Sequence, residues 1–156
     1  MRESVTVRDG TSNCIPTKFR LNQKGVNCPG NCVHCDDELE DNIHLFFLCN
    51  NAKNIWQKLG WRDVIQQHLQ ANNHIADIIF SLLQVFNSEH STLFMVTLWS
   101  IWQQRNNRVW RNKIEPTRVV CDRTTNLLLD WKPPTYYWTG VMRNNTSNGT
   151  VCSNNK

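Results

Sequence analysis

The sequence predicts a mainly α fold, a small helical domain with a cysteine- and histidine-rich loop near its N-terminal side. Three observations predict it. Apolar residues recur at helical spacing through the middle of the chain, no strand-like alternation of useful length occurs, and four of the seven cysteines fall between Cys28 and Cys49. A length of 156 residues with 40% hydrophobic content suits one modest domain with tails. The longest apolar runs, such as Leu45–Leu48, are only four residues, against the roughly 20 that span a bilayer. No membrane association is expected. The polar opening Met1–Thr11 gives no sign of a secretory signal, so an intracellular chain, nuclear or cytoplasmic, is expected.

Taken in order, residues 1–12 read as a loose leader with little periodicity. Cys14–Val26 mixes basic residues with Phe19, Leu21 and Val26 and predicts a short helix stopped at Gly25. Pro29-Gly30-Asn31 is a turn signal. Asn50–Leu59 predicts a helix with Ile55, Trp56 and Leu59 inward and Gly60 just past its end. Trp61–Gln70 predicts another, and Ile75, Ile79, Leu82 and Phe86 recur at the spacing of a third. Ser91 is expected to cap a long helix running to about Asn112. Its inward stripe is expected to be Met95, Leu98, Trp99, Trp102, Val109 and Trp110. Pro116 suits the first turn of a last helix, with Val120, Thr124, Leu127 and Trp131 on one face until Pro133-Pro134. The boundaries expected are therefore 1–12, a metal-binding portion at 13–60, a helical extension at 61–134, and a disordered Asn-rich tail at 135–156. Three Asn-x-Ser/Thr sequons at Asn144, Asn145 and Asn148 lie in that tail and are expected to be unmodified.

The informative stretch runs from Cys28 to Cys49. Stripped to metal-ligating residues it is C-x2-C-x8-H-x4-C: Cys32, Cys35, His44 and Cys49. Two cysteines separated by two residues aim both thiolates at one tetrahedral ion, and His44 with Cys49 supplies the second pair. Four soft or borderline ligands with no open position describe a structural Zn2+ site, so the fold prediction becomes a zinc-stabilised CCHC loop. An odd cysteine count in an intracellular chain argues against a disulfide framework. Alternatives remain open. The cysteines could be small apolar core residues, a redox pair without its usual βαβ setting, or a zinc set in which Cys28 replaces Cys32. An i,i+5 pair lies roughly 140° apart on an ideal helix, so His44 or Cys49 must sit at a helix end. His34 is expected to point to solvent. Glu40 either orients the His44 ring or is a plain surface carboxylate. Asp36, Asp37, Glu38 and Asp41 read as a solvated acidic surface.

No Gly-rich phosphate loop, nucleophile elbow or paired catalytic carboxylates occur, and His68, His74 and His90 are scattered. Neither an enzyme nor a small-molecule substrate is expected. Residues 100–123 hold six basic groups, among them Arg105, Arg108, Arg111 and Lys113, against Glu115 and Asp122. With Lys18, Arg20 and Lys24 beside the cysteine loop, they suggest a surface for RNA or single-stranded DNA, with a tryptophan for base stacking. The competing readings are a protein-interaction module using Trp99, Trp110 or Trp138, a structural module, and a remnant without function. The oligomeric state and the nucleic-acid target are not indicated.

A resemblance rests on particular residues. Ile15-Pro16-Thr17-Lys18, Leu21, Lys24-Gly25-Val26, Cys32, Cys35, Glu40, His44-Leu45-Phe46-Phe47, Cys49 and Trp56 together resemble the zinc-binding domain on the C-terminal side of plant non-LTR (LINE-type) retrotransposon reverse transcriptases. Leu98-Trp99-Ser100-Ile101-Trp102 with Arg105–Trp110 is similar to the helix that follows that domain. Trp131-Lys132-Pro133-Pro134 is similar to the linker before the ribonuclease H domain of those polyproteins. The resemblance covers about residues 13–134. It departs at Met1–Ser12, which lack the family's aromatic-rich segment, and at Thr135–Gly140, which lack the Asp that opens a ribonuclease H site. It implies a retrotransposon-derived fragment with structural zinc and no reverse transcriptase or ribonuclease H catalysis.

Overall fold

Chain direction is set at residue 17, where the Thr17 Oγ1 accepts from the Arg20 amide (3.4 Å) and starts the helix α1, Lys18–Gln23. A computed structural model describes residues 15–36 and 39–130; the leader, Asp37, Glu38, Trp131–Pro134 and the tail lie outside them. Among the described residues there are six α-helices, one π turn and a single isolated antiparallel bridge, Asn31 with Leu39. The architecture is mainly α, with the Cys/His loop on the N-terminal side. At the bridge, a Cβ on Gly30 would come within 3.0 Å of the Leu39 Cδ1, so a side chain there would wedge the two arms of the loop apart.

The loop leads into the π turn His44–Leu48 and then α2, Asn50–Lys58. Gly60 ends α2 at φ +76°, a conformation that a Cβ disfavours. α3 (Arg62–Ala71) and α4 (Ile75–Val85) form a hairpin, stapled by the His68 Nδ1 and the Ser81 Oγ at 2.8 Å. The long helix α5 (Ser88–Arg111) and α6 (Thr117–Asp130) form a second hairpin.

One continuous core joins these pieces. Trp56 of α2 is buried between Phe47 (centroids 6.1 Å), Trp61 (6.3 Å) and Phe94 of α5 (5.4 Å), distances at which aromatic pairs attract beyond their burial. The Trp56 indole donates to the Phe46 carbonyl (2.7 Å), which fastens α2 to the π turn. Cys32, Leu45, Ile78, Ile101 and Val120 belong to the same core, so it crosses residue 60 without a break.

Two expectations for α5 are corrected. Its cap is Asn87, whose Oδ1 accepts from the His90 amide (2.8 Å); Ser91 lies inside the first turn. Its buried stripe is Phe94, Thr97, Leu98, Ser100, Ile101, Gln104 and Arg105, an arc of about 160°. Relative to the sequence reading the helix is turned by roughly one residue, and Met95, Trp99 and Trp110 face outward. Close contact with α6 explains the change. Thr97 and Ser100 on α5 meet a helix whose own inner face is Val120 and Thr124, and all four are fully buried. Leu127, expected on that inner face, is exposed instead.

The connection between α5 and α6 is held by Glu115. Its carboxylate accepts from Arg123 (2.6 Å) and Asn107 (3.0 Å) and lies 3.4 Å from the Lys113 Nζ. Burial by itself would raise this carboxyl, but Arg123 and Lys113 outweigh it and hold it below its ordinary value of 4.5. Glu115 therefore contributes stability that is complete above that ordinary value and is lost as the pH falls through the depressed folded value. In acid titrations of unfolding, Glu115→Gln is expected to lower stability at neutral pH and to flatten the acid limb. A limb unchanged by the substitution would show that this connection adds nothing.

Candidate metal centre and adjoining surface

Four side chains converge beneath the π turn. The Sγ atoms of Cys32, Cys35 and Cys49 and one ring nitrogen of His44 all lie within 4.8 Å of one another. Cys32 Sγ and Cys49 Sγ are 3.7 Å apart, and Cys35 Sγ is 3.3 Å from His44 Nε2. A tetrahedral ion with Zn–S near 2.3 Å and Zn–N near 2.05 Å requires edges of about 3.8 Å and about 3.6 Å. The donors fit zinc. A disulfide, at about 2.05 Å, does not describe the Cys32–Cys49 pair, and all five described cysteines are free.

Each pair is presented by a distinct local device. At the first, the chain turns tightly after Cys32: the His34 amide donates to the Cys32 sulfur (3.5 Å) and the Asp36 amide to the Cys32 carbonyl (2.9 Å). At the second, the Cys49 amide donates to the His44 carbonyl (2.7 Å), an i,i+5 bond. That wider turn stacks the sixth residue over the first and removes the 140° problem of an ideal helix. The Asp41 Oδ1 starts the turn by accepting from the His44 amide (2.7 Å), so Asp41 is a cap and not merely a solvated acid. Cys49 then precedes the first residue of α2, where the amides of Asn51 and Ala52 favour its thiolate.

Hydrogen bonding to Cys49 and then burial push Cys32 well up, while the same bond holds Cys49 below its ordinary value. A divalent ion held here would favour the thiolate form of both.

Cys28, the alternative first ligand, lies outside the converging group; its thiol contacts the Lys18 carbonyl (3.8 Å) and the Asn22 Oδ1 (3.5 Å). His34 does not point freely to solvent. Its Nε2 is buried without a hydrogen-bond partner among the described residues, and desolvation lowers its pKa.

Glu40 fills neither expected role. It is fully buried, and its Oε1 accepts from Arg105 Nη2 (2.7 Å), Arg105 Nε (3.1 Å) and the Lys18 amide (3.0 Å). Its backbone carbonyl accepts from the Phe19 amide (3.1 Å). One carboxylate thus caps α1 and clamps α5 to the metal loop. Arg105, expected on a phosphate-binding face, is corrected by this contact: it is 1% exposed, ion-paired, and stacked 5.0 Å from the Trp102 ring. No sequence spacing connects residues 40 and 105.

The other candidate cations are arranged differently. Lys18 and Arg108 line one groove of about 310 Å³ with Val33, Asp36, Val109 and Asn112, directly beside the Cys32–Cys35 turn. Lys18 Nζ also donates to the Asn31 carbonyl (2.8 Å). Arg20 lies half-buried in the last turn of α1, and Lys24 is exposed just beyond it. Arg111 and Lys113 are exposed at the C-terminal end of α5, beside an exposed Trp110. His90 packs edge-on against Trp61 and Phe86, as a core-flanking residue does.

Residues 3–56 match the family model described as zinc-binding in reverse transcriptase. The match is to a zinc-binding domain, and the Cys32, Cys35, His44 and Cys49 cluster falls inside it. No curated protein and no solved structure matches the chain. Among the described residues no helix is long and apolar enough to cross a membrane.

Proposed function

We propose that the chain is a non-catalytic, zinc-stabilised nucleic-acid-binding module derived from a plant retrotransposon reverse transcriptase. Cys32, Cys35, His44 and Cys49 are the ligands in this reading. Their edges match a tetrahedral set of three sulfurs and one nitrogen, and zinc's role is to hold the loop. Residues 13–60 form the zinc-binding portion, 61–134 the helical extension that leads toward a ribonuclease H linker, and the chain works inside the cell, where thiols stay reduced.

The observation that supports nucleic-acid binding is the shared groove of Lys18 and Arg108. Two cations 90 residues apart in the chain open onto one surface beside the metal loop. Further cations stand on the same two elements: Arg111 and Lys113 are exposed at the end of α5, Lys113 beside the Glu115 carboxylate, and Arg20 and Lys24 lie on and just beyond α1. Phosphate contacts from such cations would release counterions and make affinity fall steeply with salt.

The test is binding of the zinc-loaded chain to a labelled single-stranded RNA across a salt series. The affinity is expected to fall log-linearly with salt, by a slope of about 0.7 for each phosphate contacted. Lys18→Ala with Arg108→Ala is expected to weaken binding and make that slope shallower. Failure of the zinc-loaded protein to bind at low salt would sink the reading.

A further inference from the structure

The outward face of α5 carries a pattern that zinc and phosphate binding leave unused. Trp99 and Trp110 are 48% and 75% exposed. They are eleven positions apart, which on an α-helix is about 16 Å of rise and an offset of only about 20°. Both stand roughly opposite the centre of the buried stripe, so they form one straight ridge. Between them on the same line lie Gln103 and Asn106. The Asn106 Oδ1 accepts from Arg105 Nη1 (3.0 Å), and its amide nitrogen remains able to donate.

The chemistry of the ridge narrows its occupant. An apolar protein surface would want a continuous stripe, but amides interrupt this one between the two rings. The only carboxylate in α5 is Glu89, in its first turn; Arg111 borders the Trp110 end, as does Lys113, which is paired with Glu115 (3.4 Å). Beside Trp99, a groove of about 610 Å³ with Met95, Val96 and Leu127 in its wall leaves room at the ring. Flat aromatic faces, amides and a flanking exposed guanidinium, that of Arg111, are what unpaired nucleobases recognise: stacking from the rings, edge hydrogen bonds from the amides, a phosphate contact from the cation. A duplex keeps its base faces stacked inside, where a convex helix cannot reach them.

The geometry points to the Trp99–Trp110 ridge as a stacking platform for single-stranded nucleic acid, selecting unpaired over duplex strands. The inference rests on the proposed nucleic-acid reading and adds where the bases sit and which strand form is taken.

The experiment compares a short labelled single-stranded RNA with the duplex it forms with its complement, using the full zinc-loaded chain. Trp99→Ala and Trp110→Ala are each expected to weaken single-strand binding about tenfold. Duplex binding and the salt slope should stay unchanged, because no phosphate contact is removed. Trp110→Phe should retain most of the affinity, since a ring remains. Both side chains face away from the core, and the circular dichroism of each variant checks that the helices persist. If the wild type binds with a steep salt dependence but both alanine variants bind as tightly as it does, the ridge is overturned while the cationic surface stands. Equal losses on single strand and duplex would also overturn it. So would a loss of self-association in the variants with RNA binding intact, which would make the ridge a protein contact. If the wild type binds neither strand form at low salt, the nucleic-acid reading itself fails, and the ridge with it.

Discussion

Stripping the metal with a strong chelator is expected to unfold the chain, and purified protein is expected to hold one zinc. A structural Cys/His zinc site supplies roughly 10–16 kcal/mol of apparent binding energy, against a net stability of about 5–15 kcal/mol for a whole domain. Apart from the ligands, hydrogen bonds tie residues 28–43 to α1 and to Arg105: Cys28 with Lys18 and Asn22, Asn31 with Lys18, and Glu40 with Lys18, Phe19 and Arg105. The π turn, whose own Leu45, Phe46 and Phe47 are buried, packs against both α2 and α5, so losing His44 and Cys49 as ligands reaches the core directly. Cys32→Ser and His44→Ala should each lose the zinc together with helical circular dichroism. Cys28→Ser should keep both, since its sulfur lies outside the converging group. A chain that is metal-free, helical and cooperatively folded would refute the metal's role, and zinc retained by His44→Ala but lost by Cys28→Ser would refute the ligand set.

The metal cluster is readable in the sequence because its signal is local. C-x2-C needs only one tight turn, and the second pair lies nine residues on. What spacing does not reveal is how His44 and Cys49 come to one side. The π turn depends on Asp41 beneath it and on Trp56 holding the Phe46 carbonyl, contacts made by residues that hydrophobic pattern treats as ordinary. Helix positions are readable for the same local reason: Gly25, Gly60 and Asn112 all end helices, each with positive φ.

The face of α5 is misread from sequence because its core side is half polar. Thr97, Ser100, Gln104 and Arg105 are all buried, and a stripe drawn through the most apolar residues turns toward Met95, Trp99 and Trp110 instead. Buried polar groups here have reasons that lie far away in sequence. Gln104 donates to the Glu115 carbonyl (2.6 Å) and accepts from Asn51 (2.6 Å), and Thr97 bonds its own helix so that α6 can approach. Long-range partners of this kind leave no periodicity behind. The two tryptophans left outside are then informative, since large exposed aromatics on a ridge have no packing role to explain them.

Arg105 and Glu40 form the clearest case, and they allow a sharp prediction. Both are essentially inaccessible to water. Removing one member of such a pair leaves an uncompensated buried charge, which costs about 3–5 kcal/mol. Arg105→Met is therefore expected to lower the urea midpoint of the zinc-loaded protein by an amount that corresponds to that range. The hydrophobic part of the arginine is retained, so little of the loss comes from packing. Adding Glu40→Gln should recover part of the stability, because the stranded charge is gone and an amide oxygen can still accept from the Lys18 amide at the start of α1. Non-additivity of this sign is the mark of a direct pair. Arg105→Lys should recover less than the native guanidinium supplies, since two nitrogens of Arg105 reach the same oxygen and lysine has one. If Arg105 instead met phosphate, its replacement would weaken RNA binding and reduce the salt slope with stability unchanged. The buried geometry requires the opposite: lower stability, with the affinity and salt slope of the folded protein preserved. A stable Arg105→Met variant with impaired RNA binding would return this arginine to the surface and break the link between the metal loop and α5.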